Sequence, residues 1–108
     1  MLGLIIGVAM AAAGSSEDSA RGRFSTCMRT SVEKALATKL DVASFAAFAK
    51  AACTAETANF RGDMIAYDIK AGWTRKKAEP DADGQLSDAV EDWVGRYRDM
   101  AGTATASK

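Results

Sequence analysis

Apolar residues recur at three- and four-residue steps along most of the chain, and no stretch alternates with the two-residue period of a strand. From Ser16 to Leu40 the stripe is Phe24, Cys27, Met28, Val32, Ala35, Leu36 and Leu40. Arg21, Arg23, Arg29, Glu33, Lys34 and Lys39 fall mostly on the other faces, which predicts an amphipathic helix. Ser15 or Ser16 is placed to cap it, with Glu17 and Asp18 in its first turn. Asp41 is the expected N-cap of a second helix, with Leu40 packed onto Phe45 as a hydrophobic staple. The second stripe runs Val42, Phe45, Ala49, Ala52 and Cys53, and resumes at Phe60 beyond Glu56.

"NFRGD" interrupts that stripe. Gly62 suits a C-cap, and Asp63 a restart toward about Lys77 through Met64, Ile65, Tyr67, Ile69 and Trp73. A break there is favoured narrowly over one bent helix across 42–77, because a glycine costs a helix interior only about 1 kcal/mol. "KKAEPDADGQ" reads as a linker, since it holds Pro80, the only proline, followed by turn-forming Asp and Gly. Ser87 then caps a last helix with the stripe Leu86, Val90, Trp93, Val94, Tyr97 and Met100. A reversal near residues 81–82 would set Val90 against Trp73 and Tyr97 against Ala66. Ile65, Ile69 and Trp73 would then receive the last helix. The tail 102–108, "GTATASK", has no apolar anchor and is expected to be disordered.

The fold expectation is therefore all-α: a small antiparallel bundle of three to four helices. Its first part is a helical hairpin at about 16–40 and 42–58, within a single domain over 14–101. The two cysteines fix the register of that hairpin. Cys27 and Cys53 are each thirteen residues from Leu40, so reversal at Leu40–Asp41 puts them at one height, both on their apolar stripes. Helix axes normally pack 8–10 Å apart, whereas a disulfide needs Cα atoms near 5.5 Å. The small residues Ala46, Ala49 and Ala52 allow the closer approach. The same register sets Arg23 beside Glu56 as a surface ion pair.

Redox chemistry and metal binding are the weaker readings of this pair. A thioredoxin-like site has Cys-x-x-Cys, and a zinc site needs four suitable ligands, yet the chain has no histidine and no further cysteine. No metal and no cofactor is expected. A Cys27–Cys53 disulfide belongs to an oxidising compartment, which agrees with the N-terminus. "MLGLIIGVAMAAAG" carries no charged side chain and is too short to span a bilayer. Ala11-Ala12-Ala13 offers the small-residue spacing of a signal-peptidase site. Residues 1–13 are therefore read as a secretory signal peptide, with an uncleaved anchor as the alternative, and localisation as periplasmic or secreted.

Charge narrows the partners. The 14 basic and 14 acidic residues give no net charge, which argues against nucleic acid. Missing histidine also removes the commonest general base. Glu56, Asp63 and Tyr67 share one face of a continuous helix, the only arrangement suggestive of acid–base work, and such spacing occurs on most solvated helices. "DADGQLSDAVE" has the D-x-D-G core of a calcium loop, but the distal glutamate, Glu91, is out of register by one residue. Lys70, Arg75, Lys76 and Lys77 surround Trp73 and are a candidate contact for an anionic surface. The plainer reading makes them C-terminal cations opposing a helix dipole, with Trp73 in the core. Trp93 and Tyr97 read as core.

The expected function is that of a small exported, non-enzymatic helical protein, binding a protein or envelope component or serving as a structural accessory of the bacterial envelope. The alternative is association with a membrane surface through the N-terminal apolar segment or the Trp73 patch.

Overall fold

The computed structural model describes residues 19–106, with side chains to Thr103. The expected signal segment 1–13, residues 14–18 and residues 107–108 lie outside the described residues. The described chain is all-α, with four helices: α1 (Ala20–Thr38), α2 (Val42–Ala52), α3 (Thr54–Lys70) and α4 (Arg75–Ala106).

α1 starts later than either serine suggested. Ser19 is its N-cap, and its hydroxyl accepts the Gly22 amide at 2.9 Å. The helix stops with Lys39 in the left-handed region (φ 57°, ψ 44°), a place usually given to glycine. The Leu40 amide then donates to the Ala35 carbonyl at 3.0 Å, and the Lys39 amide to Leu36 at 3.2 Å. Both bonds satisfy carbonyls that the helix end would otherwise leave open. Asp41 does occupy the N-cap of α2, but its side chain makes no capping bond; the Ser44 amide reaches its backbone carbonyl instead.

The first reversal is thus where the sequence puts it, and the disulfide follows. Cys27 and Cys53 are joined with Cα atoms 5.9 Å apart. Tyr97 of α4 secures the same turn. Its hydroxyl donates to the Leu40 carbonyl at 2.6 Å and also lies 3.2 Å from the Ala35 carbonyl. The Tyr97 ring stacks on Phe45, with centroids 4.6 Å apart.

Gly62 does not break the chain. α3 runs through it, and the interruption falls instead at Cys53 (φ −115°, ψ 32°), the single residue between α2 and α3. The Thr54 hydroxyl sits 3.2 Å from both the Lys50 and Ala51 carbonyls. A hydroxyl inserted into the backbone ladder is a regular cause of a bend. The hairpin register therefore holds only as far as Cys53. Beyond it, Phe60 meets Phe24 with centroids 5.2 Å apart. Glu56 is in no ion pair among the described residues, so the expected Arg23–Glu56 bridge does not form.

The second reversal also differs from the expectation. The chain turns at residues 71–74, and the supposed linker around Pro80 is helical. Gly72, at φ 104°, allows the turn because a side chain rarely adopts that conformation. The Trp73 amide donates to Asp68 at 2.9 Å, and the Thr74 hydroxyl accepts from the Lys77 amide at 3.3 Å. α3 is thus closed and α4 opened within a few residues. Pro80 lies on the exposed side of α4. It forfeits a bond to the Lys76 carbonyl, and a proline costs a helix interior about 3 kcal/mol relative to alanine. The compensation is a continuous buried stripe of Ala78, Ala82, Leu86, Val90, Trp93 and Tyr97. Ser87 is consequently an exposed residue within the helix and not a cap. The D-x-D-G segment is helix and not a calcium loop. Residues 102–106, expected in a disordered tail, continue α4.

Two apolar clusters result. The larger joins Phe24, Met28 and Val32 of α1 to Phe45 of α2 and to the Leu86–Tyr97 stretch of α4. The smaller is Ile65 against Ala78 and Ala82, in place of the expected Ile65–Ile69–Trp73 surface. Among the described residues, no helix is long and apolar enough to cross a membrane.

Candidate functional site

The bend at Cys53 lays α3 along the N-terminal half of α1, and α4 closes the third side. Between them lies an open groove of about 990 Å³. Each wall is one helical face: Arg21, Ser25 and Arg29 on α1, Asp63 and Tyr67 on α3, and Asp88, Asp92 and Arg96 on α4. Steps of three and four residues put each set in a row. The floor is apolar, from Phe24, Phe60, Met64 and Trp93. Arg96 is held over it: its guanidinium lies 4.3 Å from the Trp93 ring centroid and 3.1 Å from the Asp92 carboxylate. Cation–π and ionic contacts both act on that one side chain. The groove thus offers an aromatic base with charges of both signs around it.

At the α3–α4 end of the groove two acid groups meet. Partial burial raises the Asp68 carboxyl above the usual carboxylate range, and the neighbouring Asp81 carboxyl raises it further. Its Oδ2 is buried without a hydrogen-bond partner. Gln85 donates to Asp81 Oδ2 at 2.9 Å. About two turns back along α3, Arg61 donates from Nε to Asp83 at 2.7 Å and from a terminal nitrogen at 3.4 Å. That hydrogen bond holds the Asp83 carboxyl below its usual range against partial desolvation. The forked geometry favours this pairing, though both side chains are well exposed and the net contribution is small.

The residues singled out from the sequence fall in three places. Cys27 and Cys53 form the bridge, with Cys53 fully buried and its sulfur 3.7 Å from the Ser31 hydroxyl. Glu56 lies beside them, with a carboxylate oxygen within 4.8 Å of both sulfurs. With both sulfurs bonded to each other, no thiolate is offered to a metal. Glu56, Asp63 and Tyr67 do share one face of α3, but Glu56 is seven residues and about 10 Å of helix from Asp63. Asp63 and Tyr67 belong to the groove and Glu56 to the disulfide, so the three do not assemble into one site.

The basic cluster is divided by the turn. Lys70 ends α3, while Arg75, Lys76 and Lys77 open α4. Trp73 is 40% exposed and not core, with Lys77 Nζ 5.3 Å from its ring centroid. Trp93 and Tyr97 are buried core residues, as expected. The sequence reading missed the groove and the Asp68–Asp81 contact. Both depend on which helix faces which, a matter decided at Cys53 and Gly72.

Comparison with known protein families, curated proteins and solved structures finds no match.

Proposed function

We propose that this is a small exported, non-enzymatic helical protein of the bacterial envelope, either periplasmic or secreted, that works by binding another protein or envelope component. The observation that carries the compartment is the Cys27–Cys53 bridge, because disulfides persist where the surroundings are oxidising. The signal-like segment 1–13 supports the same reading.

The groove supports binding over catalysis. It is wide and open, and its carboxylates and arginines are spread along three walls around an apolar floor. That composition, with aromatic and arginine contacts at the centre, is typical of surfaces that hold a partner chain. The acid–base set Glu56, Asp63 and Tyr67 is not gathered at one point, which weakens the enzymatic alternative.

Two measurements test the reading. Intact mass of the protein recovered from the envelope fraction should show loss of the first thirteen residues and a gain of 2 Da on reduction. Full-length protein with free thiols in the cytoplasm would overturn it. Cross-linking in the envelope should give an adduct that Arg29→Glu with Asp88→Lys abolishes while the fold is retained. An adduct indifferent to those changes would remove the groove from the proposal.

A further inference from the structure

We infer that the α3–α4 tip is a docking surface for an anionic phospholipid bilayer, separate from the groove and independent of the envelope-binding reading. Trp73 and Ile69 enter the headgroup layer, and Lys70, Lys76 and Lys77 contact lipid phosphates.

The structure changes what the basic cluster means. At a helix C-terminus, cations would offset the helix dipole and need no partner. Arg75, Lys76 and Lys77 instead occupy the first turn of α4, which holds no acidic residue. There they add to the positive end of the dipole and repel it. Arg75 has a counter-charge in Glu79 at 3.7 Å. Among the described residues Lys70, Lys76 and Lys77 are in no ion pair. The fold therefore keeps Lys76 and Lys77 at the positive end of the α4 dipole, an arrangement that an anionic surface would relieve, with Lys70 at the end of α3 adding a third cation across the turn.

The acidic stretch that follows does little to blunt them. Asp83 is engaged by Arg61, and Asp81 accepts a hydrogen bond from Gln85. The cations also surround exposed apolar surface. Trp73 is 40% and Ile69 37% exposed, two of the four large apolar side chains that the described residues leave open. Tyr67 belongs to the groove and Met100 to the far part of α4. An exposed indole in a tight turn, with Lys77 over its ring and further lysines at the two helix ends, is the chemistry that settles at a lipid headgroup layer. Gly72 and the Thr74 cap hold the turn in shape, so little ordering is required on contact.

Flotation of the full chain with vesicles provides the test, using equal parts phosphatidylglycerol and phosphatidylcholine against phosphatidylcholine alone. The apolar N-terminal segment, if present, would act on both vesicle types, so the difference between them isolates the tip. Binding should favour the anionic vesicles and weaken with added salt. Each cation contributes about 1 kcal/mol near such a surface, or about fivefold, so Lys76→Gln with Lys77→Gln should lower partitioning about 25-fold. Trp73→Ala should lower it as well. All three positions are exposed, and unchanged helical circular dichroism would confirm that the variants fold. Equal binding to both vesicle types would overturn the inference. So would anionic binding that survives the double lysine change, or retention on a soluble polyanion without any vesicle binding. Loss of vesicle binding in the tip variants with the groove-dependent adduct intact would separate this surface from the groove.

Discussion

Removing the disulfide by Cys27→Ala with Cys53→Ala offers a quantitative check on the hairpin. The bridge spans 26 residues. Restricting a loop of that size in the unfolded chain corresponds to about 12 cal/mol/K, or about 3.5 kcal/mol at room temperature. The figure exceeds that for a typical surface contact because the bridge acts on the whole denatured ensemble. Alanine at both positions avoids putting an unsatisfied hydroxyl beside Ser31 in the core. In a domain whose total stability is expected to be about 5–15 kcal/mol, such a loss should move the urea midpoint substantially. Urea denaturation followed by circular dichroism, analysed for midpoint and slope, is the appropriate assay. The variant should lose about 3–4 kcal/mol and show a steeper slope, since an unbridged denatured chain exposes more surface. A loss below about 1 kcal/mol with an unchanged slope would refute the reasoning, and would mean that packing of α1 on α2 holds the loop closed without the bond.

Three further outcomes follow from particular contacts. Tyr97→Phe removes the hydroxyl from the Leu40 and Ala35 carbonyls while keeping the ring on Phe45. It should cost about 1–2 kcal/mol in the same urea assay, and no change would mean that the phenol does not secure the turn. Pro80→Ala restores the missing bond to Lys76 and should stabilise the protein by about 1–3 kcal/mol; destabilisation would show that α4 is not regular there. The raised Asp68 carboxyl takes up its proton more readily in the folded state, so its contribution to stability is full below the usual carboxylate range and is lost as pH rises through the raised value. Asp83, held low by Arg61, works oppositely: its contribution is present above the usual range and fades as pH falls. Comparing wild type with Asp68→Asn isolates the first effect. The advantage of wild type should shrink as pH is raised through the range above about 4, and a pH-independent difference would contradict it.

The first half of the fold was largely legible because it is fixed by strong local signals. Leu40–Asp41 reads as a stop and a start, and two cysteines equidistant from it can meet only if the chain reverses there. That logic failed past Cys53, where a threonine hydroxyl inserted in the backbone ladder bends the helix without leaving a glycine or proline to mark it. In the second half, Pro80 looked like the stronger punctuation. The real signals were Gly72 and Thr74, a left-handed stop followed by a cap. Ala78 and Ala82 carried the helical stripe through the proline, but alanine is too weakly apolar to stand out against Pro, Asp and Gly. The groove was least legible, because Arg21, Arg29, Asp88, Asp92 and Arg96 each sit on what reads as a solvated helix face. Only the assembled helices turn those faces toward one another.

The unequal apolar clusters have a consequence for how the molecule comes apart. The smaller one contains one isoleucine and two alanines, representing about 4 kcal/mol of apolar burial. The larger one buries Phe24, Met28, Val32, Phe45, Leu86, Val90, Trp93 and Tyr97, several times that amount, and has the covalent bridge besides. Opening of the α3–α4 tip is therefore cheaper than global unfolding. Amide exchange in the region around 62–80 should report a separate, lower-energy event while α1 and α2 stay protected. Mechanically, the protein is a riveted block carrying a compliant arm, and because Asp63 and Tyr67 lie on that arm, strain applied at the tip would loosen one wall of the groove while the other walls held.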